Sequence, residues 1–159
     1  WMYGCAKMGM HFVGWGPKEL SPAEDVVAYC NEVAKDTGAV LEFGEDLALL
    51  KGADVIYTDI WVSMGEEAKL AERVKQLAPY KVTSKVMAAT ENPKCLFMHC
   101  LPAYHDFKTL TAQHCMDEGY DIREVDDDVF RSKNSVVFDE AENRMHTIKA
   151  VMVATLGNQ

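Results

Sequence analysis

Three groups of residues in this sequence have side-chain types and spacings that could act on a small amine. The first contains Asp59, Ser63 and Met64, where a carboxylate precedes a predicted helix start. Such a carboxylate can accept a hydrogen bond from an ammonium group, while free N–H groups at a helix start attract a carboxylate. This group could therefore hold an amino acid. The alternative is that Ser63 caps the helix and Asp59 is a turn residue.

The second group follows a dense apolar run at 96–98 and contains His99, Cys100 and Leu101. A cysteine at the edge of a buried strand could be a nucleophile, a hydrogen-bond donor, a metal ligand or packed core. Pro102 has no backbone N–H and restricts its neighbour, which favours a Leu101 carbonyl that points toward a ligand. The spacing alone leaves a core role and a site role open for Cys100.

The third group is a single residue, Arg144, near the start of a predicted final helix. The helical period places Met145 and Ile148 inward, so Arg144 is expected beside the core face. A guanidinium there could stabilise negative charge on an oxygen or a phosphate. An ordinary salt bridge to Asp139 or Glu140 is the alternative.

The elements that must position these groups alternate between apolar and amphipathic segments, which predicts an α/β domain with a mostly parallel sheet. Strands are predicted at 11–15, 40–43, 55–58, 96–98 and 135–138, and helices at 2–8, 22–37, 46–50, 63–77, 83–89, 109–118 and 139–156. Ser21 and Ser63 have the spacing of capping boxes that open two of the helices. The final helix carries an apolar stripe of Met145, Ile148, Met152 and Leu156.

Polar residues follow several of the predicted strands directly. Asp59 ends one apolar run, and His99 and Cys100 end another. Ligands of open parallel sheets bind in the crevice outside the carboxyl ends of the strands. We therefore expect Asp59, His99 and Cys100 to line one site.

Composition limits the classes of partner. The chain has 159 residues, is 48% hydrophobic and carries a formal net charge of −9. This length predicts one domain over 1–159 with a substantial core. The acidic balance argues against a nucleic-acid surface, and no apolar run reaches the roughly 18–20 residues that span a bilayer. The residues after Trp1 lack a signal-peptide pattern, and we expect one domain of a longer chain.

Cysteine usage favours a reducing compartment, and we expect a cytoplasmic protein. The five cysteines are an odd count in a chain with an ample core, which is typical of free thiols. Cys95, His99, Cys100 and His105 lie close together, but adjacent strand residues point to opposite faces and no C-x-x-C motif occurs. The acidic run at 126–128 lacks the pattern of a calcium loop. We expect no metal and no cofactor.

Three longer motifs contain all of the candidate residues. They are YTDIWVSMGE at 57–66, HCLPAYHD at 99–106 and FDEAENRMHTIKA at 138–150, and GCAKMGM at 4–10 precedes them. Together they resemble the ornithine carbamoyltransferase family over essentially the whole chain. The resemblance implies the second, ornithine-binding domain of the aspartate/ornithine carbamoyltransferase fold, a three-layer Rossmann-like sheet flanked by helices.

The resemblance also implies a reaction in which the δ-amino group of L-ornithine attacks carbamoyl phosphate to give citrulline and phosphate. It assigns Asp59 and Ser63 to the α-amino group and the Met64 backbone to the carboxylate of ornithine. It assigns Cys100 and the Leu101 carbonyl to the δ-amino group. The Ser-Met-Gly sequence that begins at Ser63 favours ornithine over putrescine.

For the carbamoyl oxygen, the resemblance implies contacts with His99 and Arg144. It implies no covalent intermediate, so Cys100 orients the amine. The carbamoyl phosphate loop and a neighbouring chain of a trimer, which the family uses, are not in these 159 residues. We expect the chain alone to bind ornithine weakly and to turn over nothing. A non-catalytic ligand-binding module of the same fold is the alternative, and a zinc-binding domain is a more distant one.

Overall fold

The alternating segments of the sequence fold into alternating strands and helices, as a computed structural model of the chain shows. The structure describes residues 1–62 and 65–157. The chain forms two compact units, residues 1–51 and residues 52–159. A single domain over the whole chain stays a prediction. The predicted α/β class with parallel strand pairing is confirmed, since both strand pairs are parallel.

The first unit consists of two helices and two parallel strands. Its elements are α1 (Met2–Met8), β1 (His11–Trp15), α2 (Glu24–Thr37) and β2 (Val40–Gly44), with short 3₁₀ turns at Lys18–Leu20 and Leu47–Leu50. The buried centre contains Met2, Ala6 and Cys30. Val26, Val27 and Val33 of α2 pack against this centre.

The start of α2 differs from the prediction. The helix begins at Glu24 with Ala23 as its N-cap, and no side chain caps it. The first helical hydrogen bond runs from the Val27 N–H to the Ala23 carbonyl. Ser21 instead ends the preceding 3₁₀ turn, where its N–H donates to the Lys18 carbonyl. The capping box predicted at Ser21 is wrong because Ala23 is still extended, with ψ of 140°.

The second unit carries all of the candidate site residues. Its elements are β3 (Val55–Thr58), α3 (Leu70–Leu77), α4 (Ser84–Ala89), β4 (Leu96–His99), α5 (Leu110–Asp117), α6 (Asp127–Phe130) and α7 (Val137–Leu156), with 3₁₀ turns at Glu67–Lys69 and Ala78–Tyr80. Strands β3 and β4 pair in parallel, with Thr58 opposite His99. The residues that follow these two strands are therefore neighbours at one edge of the sheet.

Two helices of this unit begin where the sequence predicted and carry side-chain caps. Thr83 accepts a hydrogen bond from the Val86 N–H at the start of α4, and Thr109 accepts one from the Ala112 N–H at the start of α5. The buried cluster formed by Ala112, Cys115 and Ile122 packs against Tyr104 and Phe107. The segment that follows β4 is therefore anchored in the core of the unit.

The helix predicted directly after Ser63 starts later. Ser63 and Met64 lie outside the described residues, so the predicted cap is not tested. Helical structure begins at Glu67 and becomes α-helical at Leu70. Gly65 has a φ of 87°, a left-handed conformation that cannot continue a right-handed helix.

The predicted strand at 135–138 is wrong. Ser135 forms only an isolated parallel bridge with Phe97, and α7 begins at Val137. The apolar residues at 136–138 fit both periods over so short a run. Asp139 and Glu140 in the first turn favour the helix, because acidic side chains there interact well with its dipole.

The apolar stripe of α7 lies on the surface of the unit. Met145, Ile148, Met152 and Leu156 are 52–59% exposed, so the inward orientation predicted for Met145 and Ile148 is wrong. The helical period identifies an apolar face, but it does not identify what that face packs against. Among the described residues, no helix is both long enough and apolar enough to cross a bilayer.

Candidate functional site

Asp59 and Cys100 meet just beyond the carboxyl ends of β3 and β4. The Cys100 thiol donates to Oδ1 of Asp59 across 2.9 Å. The backbone N–H of Ile60 donates to the same oxygen at 2.7 Å, which fixes the carboxylate. Both Asp59 and Cys100 are exposed, so a ligand can reach them. The structure thus brings together two of the residues that the sequence singled out.

The environment of Cys100 favours a protonated thiol. Partial desolvation, together with the hydrogen bond to the adjacent Asp59 carboxylate, raises the pKa of the Cys100 thiol. A thiolate is the nucleophilic form of cysteine, and a negative neighbour opposes its formation. Near neutral pH, Cys100 is therefore a hydrogen-bond donor beside the site. All five cysteines are free thiols, and Cys100 is the exposed one among them.

His99 is held inside the protein at both ring nitrogens. It is 1% exposed, and its Nε2 lies 2.9 Å from Oε1 of Glu124. The backbone N–H of Leu101 donates to Nδ1 at 3.0 Å. Because Nδ1 accepts this bond, we assign the ring proton to Nε2, which donates to Glu124. This geometry leaves neither ring nitrogen of His99 free for a substrate oxygen.

Glu124 holds His99 in place, and no pattern in the sequence points to it. It is fully buried, and its Oε1 also accepts from the Tyr104 N–H at 2.6 Å, while Oε2 has no partner among the described residues. Burial raises the pKa of the Glu124 carboxyl, and the hydrogen bond from His99 opposes that rise. Glutamate is rarely fully buried, and its 25-residue separation from His99 forms no recognisable motif.

Leu101 lies in a backbone conformation that is unusual for its residue type. Its φ is 49°, in the left-handed region, and the Leu101–Pro102 peptide bond is cis. A left-handed conformation costs roughly 1–2 kcal/mol for a residue with a Cβ atom. Such strain persists where surrounding contacts impose it and is concentrated at functional sites. The hydrogen bond from the Leu101 N–H to His99 is one contact that imposes it.

Arg144 lies on α7, one turn beyond a residue that contacts β4. Glu140 accepts a hydrogen bond from the His99 N–H through Oε2 at 3.0 Å. Residues four apart on a helix lie on the same face, so Arg144 is on the face of α7 that approaches the end of β4. Arg144 is exposed, and it forms no ion pair with Asp139 or Glu140 within the described part of the chain. The ordinary salt-bridge alternative is therefore not found.

One group of side chains in the second unit has the composition of a metal site. Single ligand atoms of His105, Asp106 and Asp127 lie within 4.8 Å of one another. The group is already charge-balanced, because Arg131 bonds Asp127 at 2.8 Å and Lys108 lies 3.5 Å from Asp106. These two cations oppose a metal ion, so the geometry fits an ion-pair network better than a metal centre.

Parallel β–α units with polar side chains at the strand ends are typical of α/β domains that bind ligands there. The family model described as "Aspartate/ornithine carbamoyltransferase, Asp/Orn binding domain" matches residues 1–155. The chain belongs to the aspartate/ornithine carbamoyltransferase family.

Individual relatives agree with this assignment. The catabolic ornithine carbamoyltransferase of Clostridium perfringens (strain 13 / Type A) is 64% identical over 159 residues, which cover 98% of this chain and 48% of that protein. The structure of ornithine carbamoyltransferase from Pyrococcus furiosus matches with a TM-score of 0.78 and 37% identity, covering 97% of this chain and 44% of that one.

A second solved structure also matches nearly the whole chain. The anabolic ornithine carbamoyltransferase from Campylobacter jejuni has a TM-score of 0.82 and 29% identity, covering 100% of this chain and 47% of that one. The chain therefore spans about half the length of the relatives that it matches.

Proposed function

We propose that this chain supplies the ornithine-binding half of a carbamoyltransferase. In this reaction the δ-amino nitrogen of L-ornithine attacks the carbonyl carbon of carbamoyl phosphate. A C–N bond forms, the C–O bond to phosphate breaks, and the products are citrulline, phosphate and a proton. The observation that supports this most directly is the contact between Asp59 and Cys100 at one rim of the β3–β4 sheet.

The amine must lose a proton before it can attack. An alkylammonium group has a pKa of roughly 10, so its neutral form is scarce near pH 7. We assign the Leu101 carbonyl and the sulfur of Cys100 as acceptors for the δ-amino hydrogens, which would orient its lone pair toward the carbonyl carbon. We assign Asp59, with Ser63 and the Met64 backbone, to the amino-acid head of ornithine. The proton released passes to solvent or to the leaving phosphate.

Negative charge develops on the carbamoyl oxygen as the tetrahedral centre forms. We assign Arg144 to this oxygen, because a guanidinium stabilises such charge electrostatically. His99 was expected at the same oxygen, but its ring nitrogens bond Leu101 and Glu124. We therefore propose that His99 acts through the Leu101 backbone, as a positioning residue.

We propose further partners for the whole protein on the same basis. Carbamoyl phosphate would bind mainly to a part of the protein outside these residues, and the family resemblance suggests a homotrimer or a larger homo-oligomer. The five free thiols favour a reducing compartment, for which we propose the cytoplasm. A non-catalytic ligand-binding module remains the alternative function.

An assay of citrulline formation in the full protein tests the proposal. Replacing Asp59 by Asn removes the charge that faces the ornithine ammonium. We expect D59N to raise the KM for ornithine by about ten- to hundredfold, the equivalent of about 1.5–3 kcal/mol for a charged hydrogen bond. The KM for carbamoyl phosphate should change little.

D117N is the matched control, since Asp117 is an exposed carboxylate at the end of α5. D117N should leave both KM values unchanged. A D59N variant that loses carbamoyl phosphate affinity instead would overturn the assigned roles. A wild-type protein that binds ornithine but makes no citrulline would favour the non-catalytic module.

A further inference from the structure

The residues at the start of α7 form hydrogen bonds with β4, as a further strand would. One of these bonds is made by a side chain, that of Glu140. The Phe97 N–H donates to the Asn134 carbonyl at 2.9 Å, and the Val136 N–H donates to the Phe97 carbonyl at 3.0 Å. The next backbone N–H on the same side of β4 belongs to His99. It donates to Oε2 of Glu140 at 3.0 Å. The Glu140 carboxylate therefore takes the place of the carbonyl that a longer strand would have supplied.

This contact joins two parts of the proposed site. His99 immediately precedes Cys100, so the bond fixes the backbone from which the thiol extends. Glu140 lies one turn before Arg144, which corresponds to about 6 Å along the helix axis. Helical side chains lean toward the N-terminal end of their helix, so the Arg144 side chain is directed back over the turn that contains Glu140.

Other contacts also hold the first turn of α7, where the Phe138 ring meets the Phe130 ring edge-on with 6.1 Å between centroids. Val137 in its first turn is 1% exposed, whereas every described residue of 141–157 is exposed. The turn that carries Arg144 therefore has no covering layer in the described part of the chain. Its orientation relative to β4 depends on the first turn, where Glu140 bonds the strand end.

We propose that Glu140 is a positioning residue that aligns Arg144 with Cys100 and Asp59 at the carboxyl ends of β3 and β4. This inference rests on the proposed function. Glu140 does not touch the substrate; it fixes the end of α7 from which the guanidinium reaches the carbamoyl oxygen. Loss of its acceptor oxygen would leave the His99 N–H unpaired and allow α7 to shift relative to β4.

The test is a double-mutant cycle between Glu140 and Arg144 in the full protein, with citrulline formation as the readout. We expect E140A to lower kcat by about tenfold, since small misplacements of a catalytic group cost up to about a hundredfold. In an R144A background, E140A should lower kcat by less than about twofold, because the group that it aligns is absent. E140Q keeps an acceptor oxygen at the same reach and should restore most of the activity.

E142A is the matched control, since Glu142 is exposed and two residues along the same helix. It should leave kcat unchanged in both backgrounds. Hydrogen exchange at the His99 amide gives a second readout, which E140A should accelerate and E142A should not.

The possible outcomes distinguish failure of the Glu140 proposal from failure of the proposed function. Equal effects of E140A with and without Arg144 would mean a general structural role and would overturn the inference alone. An active wild-type protein with a fully active E140A variant would also overturn it. A wild-type protein that makes no citrulline would overturn the proposed function and this inference with it.

Discussion

At the scale of single residues, the candidate site depends on the protonation state of the Cys100 thiol beside Asp59. Cys100 beside Asp59 has a raised pKa, so the pair consists of a neutral donor and a charged acceptor. This arrangement suits orientation of an amine and does not suit nucleophilic attack by sulfur. Under the proposed function, Cys100 would therefore orient the amine without forming a covalent intermediate.

The buried Glu124 makes stability depend on pH in a direction that can be measured. Its folded-state pKa lies above the ordinary value of 4.5, so the folded protein binds this proton more tightly than the unfolded chain does. The resulting stabilisation is complete below the ordinary value and is lost as the pH rises through the raised value. Glutamine cannot ionise, so E124Q lacks this dependence.

Chemical denaturation of wild type and E124Q between pH 4 and pH 8 measures the effect. The free energy of unfolding of wild type, taken relative to E124Q, should fall as the pH rises. E142Q, which replaces an exposed glutamate, corrects for general effects of the substitution. If the free energy of unfolding of wild type instead rises with pH relative to E124Q, Glu124 is stabilised in its charged form, contrary to the assignment.

At the scale of elements, the spacing of a capping box does not by itself locate the start of a helix. Thr109 accepts from the Ala112 N–H at the start of α5, whereas Ser21 ends a 3₁₀ turn three residues before α2. We expect T109A to lower the free energy of unfolding by about 1 kcal/mol. S21A should change it by less than about 0.5 kcal/mol, despite its capping-box spacing. Denaturant titrations of both variants give the comparison, and an S21A loss as large as that of T109A would contradict it.

The same scale shows which features the sequence could predict. The helices α1 and α4 fall where they were predicted. The short run at 135–138 was ambiguous, because four residues cannot distinguish a strand period from a helical one. In the structure, strand-like pairing of this run is limited to the isolated bridge between Phe97 and Ser135, and the helix begins two residues later.

Within the site, the sequence identified residues at strand ends but not the residues that support them. Asp59 and Cys100 were predictable because parallel strands place their carboxyl ends together. Glu124 and Glu140 were not, since each contacts His99 across a separation set only by the tertiary fold. Their contacts with His99 depend on burial and hydrogen-bond geometry, which a linear pattern does not contain.

At the scale of the whole molecule, the second unit brings Asp59 and Cys100 together beyond the carboxyl ends of β3 and β4. The stripe of α7 remains exposed, and the chain spans about half the length of its relatives. A site that needs both an amine and a carbamoyl donor would then be completed by the rest of the protein. Activity of the 159-residue chain alone is expected to be absent, which remains a prediction.

The most direct test of the central claim is whether ornithine shields Cys100. In the full protein, the rate of alkylation at Cys100 can be followed by mass spectrometry of its peptide, with phosphate present and no carbamoyl donor. Ornithine should slow this alkylation several-fold, putrescine should slow it less, and D59N should lose the protection. An alkylation rate that ornithine leaves unchanged, in a protein that makes citrulline, would contradict a single site in which Asp59 holds the amino-acid head of ornithine and Cys100 its δ-amino group.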